Sequence, residues 1–392
     1  MEDSVKKTHI LLLPSWYLPN GGQFCRNQAQ ALVGKGIKAN VLANVSISFR
    51  KYGFKAFRLP WNFHTSKEDG LVVFRFFSRS IPYFKKLDSI LWCWQTLLMF
   101  NRYCKTYGKP DLIHVHSVLW GGYAAYLINK KTKIPYVITE HKGIFGLSCK
   151  YAKNQFSDWQ TPYMTQAFEN ACVIIPVSTN QIPKIQTYLK KNVLIQPISN
   201  VVDTDFFHFK ERTLGKDIRF VAVNGFRYVK AYDILFPAFD KVCDKLSNAK
   251  LRIIGEDFEG QEFNKLWSTI KHKDKISFVG ELDMYGVREE LWNADIFTIS
   301  SRVESQSVST LEALSTGLPV VCTTVIPSGM VNDENSIVVP VENIDALTLA
   351  LIEMASRYQQ YDGRSISEEI MKIASKDVVV SKLIDLYSHI IK

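Results

Sequence analysis

SSRVESQSVSTLEALSTGLPVV, residues 300–321, is the stretch on which the fold reading turns. An apolar run, ADIFTISS, ends at its start, and a polar loop carrying Glu304 follows. A helical pattern then begins among Ser305, Ser307 and Ser309, and LPVVCTT opens the next apolar run. Strand, loop, helix and strand in so few residues make a βαβ unit, whose two strands run parallel. The helix start offers free backbone N–H groups and a positive dipole end, a combination suited to a diphosphate. Glu312 follows Glu304 by eight residues, on about the same side of a helix and ~12 Å along it at ~1.5 Å per residue. That span fits a nucleotide sugar laid across the helix start. Glu312 would accept hydrogen bonds from ribose hydroxyls and Glu304 from those of the sugar. Ser305, Gln306, Ser307 and Val308 would line the loop between. On spacing alone, an amphipathic helix with a capping carboxylate and one exposed Glu accounts for the same residues.

The alternation of that stretch continues on both sides of it. DIRFVAVNGF, AKLRIIGE, KISFVGE and SIVVPV read as further strands, with helices near 231–246, 260–271, 284–293, 307–316 and 343–357. Before residue 200, HILLLPSW, KANVLANV, LVVFRFF, DLIHVHS, PYVITEH and CVIIPVS form a second series, with a helix from Asn27 to Lys35. Such spacing implies parallel sheets. A chain of 392 residues exceeds the ~250–300 at which single cores stop growing. We therefore expect an α/β protein of two Rossmann-like domains, residues 1–199 and 200–376, joined near QPISNVVDTDFF (196–207). A closing helix over 377–392 would bury Leu383, Ile384, Tyr387, Ile390 and Ile391 on one face.

Three other places carry potential chemistry. In VAVNGFRYVKAYDIL (221–235), Arg227 and Lys230 stand between a strand and a helix. Cations there would hold a departing diphosphate at the carboxyl end of a parallel sheet; alone, they also read as two solvated surface charges. Gly21 and Gly22 follow the first strand, where glycine allows a close backbone approach to a phosphate or a tight turn. His141, in Thr139-Glu140-His141 at a strand end, could hydrogen-bond a substrate hydroxyl. Asp203-Thr204-Asp205 has the form of a metal-binding DxD but sits in the joining segment. His114 and His116 are expected on opposite faces of their strand, a poor arrangement for one metal. Both are taken as structural.

Composition narrows the classes. Residues 1–200 hold 26 Lys and Arg against 9 Asp and Glu, whereas residues 201–392 hold 22 against 29. Within residues 49–110 the balance is 12 basic to 3 acidic, interleaved with Phe49, Tyr52, Phe54, Phe57, Trp61, Phe63, Tyr83, Phe84, Trp92 and Trp94. The first half should therefore meet an acidic partner, and an anionic membrane surface fits. No helix-turn-helix, finger or RNP pattern supports nucleic acid. Seven scattered cysteines without CxxC spacing read as reduced thiols of a cytosolic protein. The N-terminus lacks the apolar run of a signal peptide, and Ile90 to Phe100 is too short to span a membrane.

Taken together and in this order, these segments resemble glycosyltransferase family 4. Glu304 and Glu312 match its E-x7-E motif, and LEALSTGLPVV its helix and following strand. Asn224 to Asp233 is similar to its G-R-x-x-x-K-G-x-D element, with Ala231 in place of the glycine. NVVDTDFF resembles its joining segment, and PSWYLPNGGQFCRNQAQAL its first loop and helix. Gln306-Ser307 stand where the family usually has Phe-Gly, and Ile326 to Gly329 where Gly-Gly is common. The resemblance implies a GT-B fold with two parallel sheets facing a cleft, and a retaining hexosyltransferase. Arg227 and Lys230 would bind the diphosphate, Glu304 and His141 the donor sugar, Glu312 the ribose, and Gly22 would lie near the distal phosphate. It implies a UDP- or GDP-linked donor, no metal ion and no other cofactor. The acceptor would be a glycan or a lipid-linked intermediate of capsule, O-antigen or exopolysaccharide synthesis, met at the inner face of the cell membrane. Two alternatives stay open: a GT-B-fold sugar-nucleotide epimerase, which would convert donor without acceptor, and a nucleic-acid-binding protein using the basic half.

Overall fold

The computed structural model describes residues 8–48, 52–80, 84–147, 151 and 156–391. Phe49, Tyr83, Cys149 and the N-terminal Met1 to Lys7 lie outside them. The described residues form two compact units. One draws on Met1–Lys142, Phe156–Val201 and Val379–Lys392, the other on Gly143–Gln155 and Val202–Val378.

The first unit has eight strands: β1 (His9–Pro14), β2 (Lys38–Ile47), β3 (His64–Glu68), β4 (Leu71–Arg79), β5 (Leu112–His116), β6 (Tyr136–Glu140), β7 (Val173–Pro176) and β8 (Leu194–Ile195). Their order is β3-β4-β2-β1-β5-β6-β7-β8, parallel throughout except for the β3–β4 pair. Every residue of β1, HILLLP, is buried. A parallel sheet covered on both faces demands such an unbroken apolar run. The helices include α1 (Gln23–Gly34), α2 (Lys85–Tyr107), α3 (Tyr123–Thr132), α4 (Thr161–Glu169) and α5 (Ile182–Gln186). α1 begins four residues before the expected Asn27. β3 was not anticipated, because HTSKE is polar and lies at the sheet edge. Asp69 and Gly70, both at positive φ, make the two-residue turn that folds it onto β4, and Lys67 keeps the edge charged.

The second unit holds β9 (Ile218–Val223), β10 (Ala249–Ile254), β11 (Ile276–Gly280), β12 (Ile296–Ile299), β13 (Val320–Thr323) and β14 (Ser336–Val339), in the order β11-β10-β9-β12-β13-β14. All pairs are parallel. Its helices are α6 (Tyr232–Cys243), α7 (Gly260–Ser268), α8 (Met284–Trp292), α9 (Val308–Ser315), α10 (Ile344–Arg357) and α11 (Gly363–Ala374). They cover two apolar cores, one holding α6 and α10 residues and the other α9 and α11 residues. α11 starts at Asp362, whose carboxylate accepts from the N–H groups of Arg364 and Ser365. Ile366, Ile370 and Ala374 then form its buried stripe.

A further helix, α12 (Lys376–Ile390), follows α11. From Val379 onward it belongs to the first unit. There Leu383 and Tyr387 are buried in the core, with Ile384, Ile390 and Ile391 packed against it. Asp203 of the DxD-like sequence accepts from Lys376 Nζ at 2.5 Å and from the Phe206 N–H at 3.2 Å. The backbone beside it is tied by Val202 N–H to the Ala374 carbonyl.

Candidate functional site

In each sheet the winding direction reverses once. In the second unit β9, β10 and β11 run out one way and β12, β13 and β14 the other, so the reversal lies between β9 and β12. Ligands of open α/β sheets bind beyond the carboxyl ends of the strands at this point. Arg227 and Lys230 leave β9 there, and Glu304 to Val308 leave β12 there. The two loops meet directly. Lys230 Nζ donates to Glu304 Oε1 at 2.5 Å, and Ser301 Oγ donates to the same oxygen at 2.8 Å. Ser300 Oγ donates to the Lys230 and Ala231 carbonyls at 2.9 and 3.1 Å. Ala231 occupies the left-handed region, φ 54°, where the family pattern has glycine.

Arg302, which sequence reading passed over, holds this junction together. Its N–H donates to the Val229 carbonyl at 2.8 Å. Its buried guanidinium donates to both Asp233 oxygens, at 2.9 and 2.6 Å, to Glu342 and to the Tyr228 carbonyl, and it lies 4.3 Å from the Tyr228 ring. Burial opposes its charge, but the bonds to Asp233 and Glu342 outweigh that and raise its pKa.

The expected positions along a helix need correction. Glu304 stands in the loop, four residues before α9 begins at Val308, so the distance from Glu304 to Glu312 is not a helical rise. Ser307 occupies the N-cap position of α9 at φ 53°, and its Oγ lies 2.8 Å from Thr310 Oγ1 rather than bonding a backbone N–H of the helix. Gln306 is buried, whereas Ser305 is half-buried. Glu312 is half-buried on α9, and its carboxylate makes no hydrogen bond or ion pair with another described residue. Burial pushes its pKa up to about 8. Arg227 is different again: mostly exposed, it pairs with Glu256 at 3.1 Å and Asp257 at 3.6 Å. Gly146, also of this unit, lies so close to the Glu304 carbonyl that a Cβ there would stand 2.3 Å from it. No side chain fits at 146 unless the Glu304 loop moves.

In the first unit the reversal lies between β1 and β5. Gly21 and Gly22 follow β1 at φ 89° and 92°. A Cβ on Gly22 would meet the Trp16 carbonyl at 2.6 Å, so only glycine brings the chain round into α1. His141 follows β6. Its ring stacks on Phe24 at 3.8 Å, and its Nε2 lies 2.9 Å from His116 Nδ1. Burial lowers its pKa to about 3, so it is a neutral hydrogen-bonding group. Glu140, fully buried, accepts from Ser117 Oγ and from the N–H groups of Val118, His141 and Lys142. It braces the turn that presents His141. The expectation for His114 and His116 was wrong. Strand side chains alternate with period two, so residues i and i+2 share a face. The two rings stack 4.8 Å apart, and His114 bonds Tyr387 Oη and Thr139 Oγ1 at 2.5 and 2.6 Å.

Among the described residues no group of three His, Cys, Asp or Glu could hold a metal ion, and no helix is long and apolar enough to cross a membrane.

Comparison with known proteins adds to this geometry. The family description "Glycosyltransferase Family 4" matches residues 21–206, and "Glycosyl transferases group 1" matches residues 216–357. TuaC of Bacillus subtilis, assigned as a glycosyltransferase of teichuronic acid biosynthesis, is 26% identical over 336 residues, 80% of this chain and 79% of that protein. The alpha-monoglucosyldiacylglycerol synthase of Acholeplasma laidlawii is 24% identical over 54% of this chain and 58% of its own. Sucrose-phosphate synthase of Thermosynechococcus elongatus superposes with a TM-score of 0.78 at 16% identity, covering 97% of this chain and 99% of its own. HepE of Anabaena in complex with UDP-glucose gives 0.71 at 14% identity, over 97% and 100%. At such identities the two structures speak to the fold, which is GT-B.

Proposed function

Because this chain belongs to glycosyltransferase family 4, we propose that it is a retaining enzyme that moves a hexosyl unit from a UDP- or GDP-linked donor to a hydroxyl of a lipid-linked or cell-envelope glycan. It would work at the inner membrane face, without a metal ion or other cofactor. The observation that carries the reading is the meeting of Lys230 and Glu304 where the second sheet reverses. A cation for the diphosphate and a carboxylate for the sugar stand in contact, beside the start of α9. A bond forms from the acceptor oxygen to the anomeric carbon on the face the diphosphate leaves, and the bond to the diphosphate breaks. The acceptor proton passes to the departing diphosphate oxygen. Arg227, Lys230 and the α9 N-terminus stabilise the charge that grows on that oxygen. A thermal-shift screen with UDP, GDP and their sugars tests the donor, since a ligand at 100 times its Kd stabilises by about 2.7 kcal/mol. If no nucleotide raises the melting temperature, the reading fails.

The two glutamates should separate kinetically. Glu312→Ala should raise KM, because ribose hydroxyls are held alike before and during reaction. Glu304→Ala should lower kcat, because the reacting sugar changes charge and shape. Wild-type kinetics in both variants would refute the E-x7-E assignment.

Glu312 also predicts a pH effect. In the free protein its carboxyl keeps a proton up to about pH 8. Its contribution to folding stability is thus present below the ordinary carboxylate value and lost as pH rises toward 8. Ribose hydroxyls donating to it favour the ionised form, so donor binding should release a proton at pH 7. Titration calorimetry in buffers of differing ionisation enthalpy measures this release directly, and Glu312→Gln should abolish it. A release unchanged in Glu312→Gln would place the proton elsewhere.

A further inference from the structure

Helix α2 carries two apolar faces. One is core: Trp92, Thr96, Met99, Phe100 and Tyr103 are buried. The other is an outward stripe of Leu87, Ile90, Trp94 and Leu98, 39–58% exposed. Their spacing of three, four and four keeps them in line, on the opposite side of the helix at about 100° per residue. A helix of a soluble domain needs only one such face, so the second has no structural task within this unit. At the start of the stripe lies a groove of about 520 Å³ lined by Phe84, Lys85, Lys86, Leu87, Ile90 and Trp159. Its Trp159 wall is fixed by stacking on Trp120, ring centroids 5.6 Å apart.

We infer that α2 is the element that rests on an anionic lipid bilayer, with its stripe among the acyl chains and Lys85 and Lys86 at the phosphates. The groove would take part of one lipid chain. This rests on the reading of a membrane-side acceptor and says which surface serves it. An interfacial helix has this composition, with aromatic and aliphatic residues on one side and cations beside them. Charge selects the occupant. Residues 49–110 hold 12 basic and 3 acidic residues, so a second copy of this chain would bring the same lysines against themselves, whereas lipid phosphates complement them. A neighbouring segment points the same way. Ile47, the last residue of β2, pairs with Arg79, the last of β4, so the chain after each strand emerges at the carboxyl end of the sheet. After β2 come Phe54, Phe57 and Trp61, all exposed, with Lys55 and Arg58 between them; after β4 comes α2.

The test is co-sedimentation of the full chain with vesicles of phosphatidylglycerol and phosphatidylcholine, against phosphatidylcholine alone, at rising salt. Wild type should bind the anionic vesicles and release with salt. Lys85→Gln/Lys86→Gln should weaken binding about fivefold per charge. Leu87→Gln/Trp94→Gln should weaken it roughly tenfold or more. Both variants should keep the wild-type thermal shift with UDP or GDP. Wild-type vesicle binding by the stripe variant would overturn the inference, as would equal binding to neutral vesicles. A dimer in light scattering that disappears in the stripe variant, without vesicle binding, would assign the face to self-association instead. Loss of the nucleotide shift in wild type would remove the enzymatic reading and leave the vesicle result standing.

Discussion

Lys230→Ala is expected to lower turnover by about 10²–10³-fold, the usual loss for one preorganised group aimed at developing charge. It should also destabilise the protein, and that second effect separates it from Arg227→Ala. Glu304 is nearly enclosed, with a side-chain exposure of 9% against 22% for Lys230. Without the ammonium, its carboxylate keeps only the Ser301 hydroxyl among the described residues. Breaking a buried pair from one side commonly costs about 3–5 kcal/mol; the partial exposure of Lys230 places this case at the lower end. Arg227 sits in an exposed pair with Glu256, worth about 0–1 kcal/mol, so Arg227→Ala should lose turnover with almost no change in melting temperature. The double variant Lys230→Ala/Glu304→Ala tests the assignment. Removing the stranded carboxylate should restore most of the stability while transfer stays low. The measurements are thermal unfolding and single-turnover transfer with the donor found in the nucleotide screen. A double variant that is stable and transfers at the wild-type rate would show the pair to be a structural tie alone.

The difference between these two cations was invisible in the sequence. Arg227 and Lys230 are three residues apart in one loop, and spacing alone described both as surface charges. What separates them is a contact across 74 positions, Lys230 with Glu304, which exists only because β9 and β12 are neighbours. The sheet plan was legible because parallel strands are apolar on both faces and recur between helical patterns; ADIFTISS and LPVVCTT needed nothing else. β3 escaped because HTSKE is polar and half its register is supplied by Asp69-Gly70. α11 was passed over although Ile366, Ile370, Ile373 and Ala374 stand at helical spacing behind the Asp362 cap, so that signal was present in the sequence. The His114–His116 error was of another kind: the period of a strand was misapplied, although the sequence contained the answer. Arg302 could have been suspected, since an arginine between a buried strand and the Glu304 loop needs partners. Those partners, Asp233 and Glu342, lie far from it in the chain.

Arg302→Ala is the substitution that should damage the site most while touching no substrate. Its guanidinium is buried and binds two carboxylates and one carbonyl. These fix the start of α6 through Asp233, the Tyr228 turn, and the loop that carries Glu342. Removing it leaves Asp233 and Glu342 facing each other across an empty guanidinium site. Both are partly exposed, at 52% and 35% of their side chains, so water relieves some of the repulsion. A loss of about 2–3 kcal/mol follows, below the usual range for a stranded buried charge. Arg302→Lys should recover little, because an ammonium cannot bridge two carboxylates with a planar fork. The functional consequence runs through geometry: Lys230 lies between Tyr228 and Asp233, so loosening either end lets its ammonium drift from Glu304. Turnover should then fall even at temperatures where the variant is fully folded, and the calorimetric enthalpy of nucleotide binding should fall with it. Arg302→Ala/Asp233→Ala/Glu342→Ala supplies the decisive comparison. Without the unpaired charges, stability should partly return, but the loop would still lack its tie. If that triple variant transfers at the wild-type rate, Arg302 contributes to the fold alone and does not position Lys230.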